Sequence, residues 1–327
     1  MARDLVRLPK VHVHVHLDGS YPLPAVRALA DRRGVPFETP DAFDDVWAFF
    51  AAYGTVPALV RDSDDLADLC AALVRAEAAN GVLYLEPAIE PQLYAPRLGS
   101  LTEVTEIMID ALQRAAGETG IQVGANLTVN TDQDLPIAPE LADIAARFAG
   151  SGITAFGTAG FVEPAGLGRF AESAAVARRA GLPIVAHAGQ TGGPDSVREA
   201  LDDLGATRLS HGIRSVQSPP LVERLAEEGI GCDVCPVSNV RLGVVASLAE
   251  HPAPALVAAG VPVTLNADDE LWFGHSVVDQ YRIARETWGL TDAELADVAR
   301  AGLLVEGLSE ETRRRFRAAL DAWLGES

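Results

Sequence analysis

Eight short apolar stretches, each followed by helix-forming sequence, run through this chain of 327 residues. They fall near 11–16, 82–86, 123–129, 153–157, 183–187, 208–211, 231–235 and 263–266. Strands that are apolar throughout, alternating with helices, build a parallel sheet covered on both faces. Eight such units in one chain of this length predict an α/β fold of the closed (β/α)8 type, a TIM barrel. The barrel forms one domain over residues 1–327. Extra helices are expected after the first strand, at 22–33 and 41–53, and from 277 to the C-terminus. A doubly wound open sheet is the alternative, but no glycine-rich dinucleotide turn follows the first strand.

The charge narrows the partners. With 26 basic and 46 acidic residues the net charge is −20. Nucleic acid and anionic membrane both need a basic surface, so neither is an expected partner. Three cysteines are too few for a disulfide framework. Cys232 and Cys235 form a single C-x-x-C without a second pair, which reads as small apolar residues in a buried strand. The start of the chain lacks an apolar targeting segment, and no apolar run reaches membrane-spanning length. A cytoplasmic location is the expectation.

The first strand carries the chemistry. In 11–19 three histidines, His12, His14 and His16, alternate with valines ahead of Asp18-Gly19. Alternation at period two places the three imidazoles on one strand face. Two imidazoles two residues apart at a strand's C-terminal end can reach one metal ion. Barrel enzymes build their sites at those ends. The polar residues there are His14, His16 and Asp18, then Glu86, His187 and His211, and finally Asp268 with Asp269. A lone histidine is ordinarily a satisfied core or surface residue. This set gathers at one end of a barrel, and imidazoles with a carboxylate suit zinc or a similar first-row divalent ion.

These residues sit in motifs. H-V-H-L-D-G (14–19), H-A-G-Q-T-G (187–192), S-H-G-I (210–213), C-P-x-S-N (235–239) and L-N-A-D-D (265–269) occur in this order. In order and spacing the chain resembles the adenosine deaminase family of zinc hydrolases. The resemblance runs from the first strand to the last. It includes Y-L-E (84–86) and F-F-A-A-Y (49–53), similar to the family's lid over the purine pocket. It implies one Zn2+ per chain, held by His14, His16, His187 and Asp268. It implies His211 as base and electrostatic stabiliser beside the nucleophilic water, and Asp269 as the carboxylate orienting substrate and water. Gly160 would contact the purine edge, Asp18 would lie near the ribose, and Trp47 and Phe50 would face the heterocycle. Trp47, Phe49 and Phe50 at helical spacing also fit a plain core stripe. His12 has no counterpart and reads as structural.

The implied reaction is hydrolytic deamination, with a small-molecule purine nucleoside or analogue as the partner. The family donates a proton to the ring nitrogen from a glutamate ending H-A-G-E; this chain has Gln190 there. An amide can donate a hydrogen bond but has no proton to transfer. Loss of a general acid costs on the order of 10²–10⁴-fold in rate. Three readings follow: an engineered Glu→Gln trap, a natural relative with diverged non-deaminase chemistry, or a non-catalytic nucleoside-binding protein. Two more departures concern the substrate. Ala88 stands where the family's E-x-R-x-x-P has arginine, and Phe161 where an acidic residue commonly follows the purine-contact glycine. Candidate substrates are adenosine, 2′-deoxyadenosine, adenine and a modified nucleoside such as aminodeoxyfutalosine. No phosphate-binding cluster is apparent.

Overall fold

The computed structural model describes residues 2–160 and 166–325, so Phe161 lies outside the described residues. Ten parallel ladder segments make up the sheet: β1 (Lys10–His12), β2 (Val82–Leu85), β3 (Ala88–Ile89), β4 (Gln122–Val123), β5 (Ala125–Asn130), β6 (Ile153–Ala159), β7 (Ile184–Ala188), β8 (Arg208–His211), β9 (Gly231–Val234) and β10 (Val263–Leu265). They run in the orders β1-β2-β4 and β10-β9-β8-β7-β6-β5-β3. Two of the eight expected strands are each broken in two. Between β2 and β3 stands Pro87, which has no N–H to give to a ladder. Between β4 and β5 stands Gly124, where a Cβ would lie 2.3 Å from Thr154 and 2.6 Å from the Tyr84 hydroxyl. Of the first halves, β2 pairs with β1 and β4 pairs with β2, while the second halves join the larger sheet. Isolated parallel bridges, Val15 with Asp268 and His16 with Ala88, connect the extension of β1 to both edges of that sheet. The ring therefore closes, and the open-sheet alternative is excluded.

The first strand departs from the expected 11–16 run. Its ladder stops at His12, and the Asn266 side chain takes over: Oδ1 accepts from the backbone N–H of Val13 (2.8 Å) and of His14 (3.1 Å). A side-chain amide thus replaces a neighbouring strand, and the regular pleat ends. Consequently His12 does not join His14 and His16. Its Nδ1 meets Glu77 at 2.8 Å, on the helix Ser63–Ala79, and its Nε2 accepts from the Ala267 N–H at 3.1 Å. The structural reading of His12 fits this placement; the shared face does not.

Around the barrel the helices follow the expected alternation. The helix expected over 41–53 begins only at Val46 and runs Val46–Tyr53. Asp45 is extended and caps it by accepting from the Ala48 N–H at 2.8 Å, so the preceding residues stay outside. C-terminal helices Val277–Glu286 and Asp292–Ala301 open on Ser276/Asp279 and Thr291/Glu294 capping boxes, and Glu310–Gly325 closes the chain. All three cysteines are buried free thiols, as expected for Cys232 and Cys235 in a strand region. Among the described residues no helix is long and apolar enough to cross a membrane.

Candidate active site

Each polar group of the site leaves the end of a strand. His187 lies in β7 and His211 ends β8, and Asp268 follows β10 by three residues. Among the described residues only two non-glycine positions have positive φ, His211 at 74° and Asp268 at 66°. Left-handed backbone is costly for ordinary side chains and persists where the surroundings impose it. Both strained residues belong to this cluster.

The side chains converge on one point. His14 Nε2 lies 3.1 Å from Asp268 Oδ1, and His16 Nε2 lies 3.3 Å from the same oxygen. His16 Nε2 and His187 Nε2 approach to 3.2 Å. His211 Nε2 lies 3.8 Å from Asp268 Oδ2. All five groups are buried. Ser238 Oγ donates to Asp268 Oδ2 at 2.6 Å and steadies the carboxylate.

Electrostatics follow from this crowding. Burial pushes the His187 and His211 imidazoles well below the usual range, and His14 adds to the push. Both are therefore neutral, the form that binds metals. Burial acts to lower His14 too, but the Asp268 carboxylate outweighs it and the imidazole is held up. For Asp268 burial acts upward, while the close imidazoles of His14 and His16 hold it well below the carboxylate range. Asp269 goes the opposite way: burial and then the Asp268 charge push it well up. Two adjacent carboxyls of one turn are thus pushed in opposite directions.

A divalent cation fits this donor set. The Nδ1 atoms of His14 and His187 face backbone carbonyls, Asp233 O at 2.7 Å and Thr158 O. Carbonyls only accept, so these rings carry their protons on Nδ1 and turn Nε2 lone pairs into the cluster. His14 Nε2 is buried and makes no hydrogen bond. An unpartnered lone pair beside a carboxylate and two further imidazole nitrogens is what a bound cation satisfies.

Beside the cluster opens a cavity of about 690 Å³. His16, His187, Gln190, His211, Asp268 and Asp269 form one wall. Val46, Phe49, Phe50 and Tyr53 form another, at the i, i+3, i+4, i+7 spacing of a single helix face. The same spacing turns Trp47 away. Trp47 is 55% exposed, packs edge-on against Phe50 at 5.7 Å, and does not line the cavity. Phe50 lines the cavity and Trp47 does not. Gly160 also lines the cavity, at φ 87°. Asp18 does not: it is fully buried, accepting from the hydroxyls of Tyr94 and Tyr21, and burial pushes its pKa up to about 7 against those bonds. Glu86 is likewise drawn away, by Arg208, Tyr84 (2.6 Å) and Thr154 (2.8 Å).

The remaining wall was not foreseen from sequence. Glu90, Gln92, Asn130 and Asp134 line it, with Gln92 Nε2 donating to Asp134 Oδ2 at 2.7 Å. Burial and neighbouring carboxylates push Glu90 well up. No lysine or arginine is among the described lining residues. Ser238 and Asn239 were visible only as members of C-P-x-S-N, and the cavity-lining role of Glu90 had no periodic signal.

Gly19 sets the fit of Asp269. A Cβ there would lie 1.7 Å from Asp269 Oδ1 and 2.9 Å from the Tyr53 ring. Gly19→Ala is expected to displace Asp269 and to lower kcat by on the order of 10²-fold, the low end for losing a positioned acid or base. Metal content should be unchanged. Steady-state kinetics with elemental analysis checks both.

A closed barrel with an imidazole–carboxylate cluster at its C-terminal mouth defines a class of metal-dependent hydrolases. The chain belongs to the adenosine deaminase family, whose model matches residues 9–323. That family comprises hydrolases acting on C–N bonds. The chain is 37% identical over 337 residues to a putative adenosine/adenine deaminase of Streptomyces virginiae, covering 99% of this chain and 98% of that one. It is 36% identical to an adenine deaminase of Streptomyces coelicolor, covering 98% and 96%. The crystal structure of adenine deaminase from Arthrobacter aurescens superposes with a TM-score of 0.90 at 28% identity, covering 97% of this chain and 99% of that one.

Proposed function

We propose that the chain binds one zinc ion through His14, His16, His187 and Asp268, and removes the exocyclic amine of a 6-aminopurine base or nucleoside without a phosphate. The observation that carries this is the buried, hydrogen-bond-free Nε2 of His14, which lies with that of His16 against the Asp268 carboxylate, His187 Nε2 standing 3.2 Å from His16 Nε2. Zinc in such a donor set supplies Lewis acidity that makes water nucleophilic near neutral pH.

The chain's own residues do the rest. The face formed by Phe49, Phe50 and Tyr53 stacks the flat ring. His211 and Asp269 flank the point of attack; His211 hydrogen-bonds the incoming oxygen, and the Asp269 carboxyl fixes the leaving amine's orientation. Gln190, three residues after His187, donates its amide N–H to the ring nitrogen, which orients the ring but moves no proton. Glu90, Gln92 and Asp134 offer acceptors for sugar hydroxyls or ring N–H groups. With carboxyls and no basic side chain on that wall, a phosphate is disfavoured.

Ammonia release from adenine, adenosine, 2′-deoxyadenosine and AMP, with zinc present, tests this. A base or nucleoside is expected to exceed AMP by at least about tenfold in kcat/KM, roughly 1.4 kcal/mol of discrimination. AMP as the best substrate would overturn the phosphate-free reading. Turnover of none of them, with either Gln or Glu at 190, would favour a diverged hydrolase or a binding protein.

A further inference from the structure

Four imidazoles crowd the mouth, and distance alone does not sort them into ligands and others. His14, His187, His211 and Asp268 each bring a donor atom within 4.8 Å of the others. The sorting depends on which ring nitrogen holds the proton, and the partner of Nδ1 decides that. Carbonyls face Nδ1 of His14 and His187, so their Nε2 atoms are lone pairs. His211 differs. Its Nδ1 faces the side-chain amide of Asn239, with Nδ2 at 3.1 Å.

An amide can be turned either way, so its orientation must be fixed by a further neighbour. Here the neighbour is His251. The Ala253 backbone N–H points at His251 Nδ1 at 3.1 Å. A backbone N–H only donates, so His251 Nδ1 is a lone pair and the ring proton sits on Nε2. Burial lowers the His251 pKa to about 4, which keeps the ring neutral. His251 Nε2 lies 3.1 Å from Asn239 Oδ1 and donates to it. The amide is thereby fixed, Nδ2 donates to His211 Nδ1, and the His211 proton is left on Nε2. Turned the other way, Asn239 would accept from Nδ1 and His211 would present a further lone pair to the cluster. The ring of His251 is held by stacking on Trp288, centroids 5.5 Å apart, whose Nε1 donates to Leu248 O at 2.8 Å.

We propose that His251, acting through Asn239, holds His211 as the Nε2–H tautomer and so keeps it a hydrogen-bond donor facing the cavity rather than one more metal ligand. Asn239 and His251 are positioning residues in a relay that starts at the Ala253 amide. What His211 donates to rests on the function proposed above; its tautomer does not.

Ring 15N shifts of 15N-histidine-labelled protein, without metal and with zinc, read the tautomer directly. The unmodified chain is expected to show His211 protonated at Nε2. In Asn239→Asp the carboxylate accepts from both histidines, and His211 is expected to switch to Nδ1–H. In the form that turns over, with Gln or Glu at 190, kcat should then fall about 10²-fold with KM nearly constant, as for loss of a positioned donor. His251→Phe keeps the stack on Trp288 but frees the amide; a mixture of His211 tautomers and a smaller fall in kcat are expected. It carries the test should Asn239→Asp not fold. Nδ1–H on His211 in the unmodified chain, or unchanged Nε2–H in the variants, overturns the relay. If neither form at 190 turns over a purine, the proposed function fails while the 15N shifts still decide the relay.

Discussion

Gln190→Glu is expected to raise the rate of ammonia release from a 6-aminopurine by about 10²–10⁴-fold, the range a positioned general acid supplies. Position 190 lines the cavity three residues beyond His187, and Arg214 holds its backbone oxygen from behind. An amide and a carboxylic acid occupy nearly the same volume, so the exchange changes proton supply more than shape. Asp268 and Asp269 share the wall of position 190, Glu90 lines another, and no lysine or arginine is among the described lining residues. Like charges and burial favour the protonated carboxyl, so the new glutamate would enter the reaction carrying the proton that Gln190 lacks. KM should change little, because the amide already supplies the hydrogen bond. Initial rates with adenine and adenosine for the two forms check this. An unchanged or lower rate would assign Gln190 to a different reaction on the same scaffold.

Asp268→Asn is expected to weaken zinc binding at least about 10²-fold, above what loss of a residue merely supporting a ligand costs, and to lower kcat in parallel. The substitution is chosen for the backbone. Asp268 sits at φ 66°, a conformation that asparagine adopts with little strain. Ser238 can still hydrogen-bond the side-chain oxygen. What disappears is the negative charge that lies 3.1 Å from His14 and 3.3 Å from His16. Metal affinity measured by competition with a chelator, together with a thermal melt of the metal-free protein, separates this from unfolding. Undiminished affinity would remove Asp268 from the ligand set.

The parts of the fold carried by local pattern could be read in advance. Continuous apolar runs alternating with helices specified the barrel, and polar residues at strand ends specified the mouth, because both are properties of a few consecutive residues. Features set by distant partners could not. Asn266 interrupts the first strand by bonding Val13 and His14, some 250 residues away in sequence, which turns His12 to Glu77. The helix Val46–Tyr53 is apolar nearly all round, so its stripe did not reveal that Phe50 faces the cavity and Trp47 solvent. The resemblance puts Asp18 near a ribose, whereas the Tyr94 hydroxyl, 76 residues on, holds it in the interior. The Ala253–His251–Asn239–His211 chain joins a loop to a strand end, and no spacing announces it.

His14, His16, His187 and Asp268 are proposed to hold one metal ion at the head of the cavity. Elemental analysis of the zinc-reconstituted protein beside His14→Ala/His187→Ala and His211→Ala tests it most directly. One zinc per chain is expected in the unmodified protein and in His211→Ala, and less than a tenth of that in the double variant, since removing two ligands forfeits several kcal/mol of binding. A full complement of zinc in the double variant, or none in the unmodified chain, would rule out this ligand set.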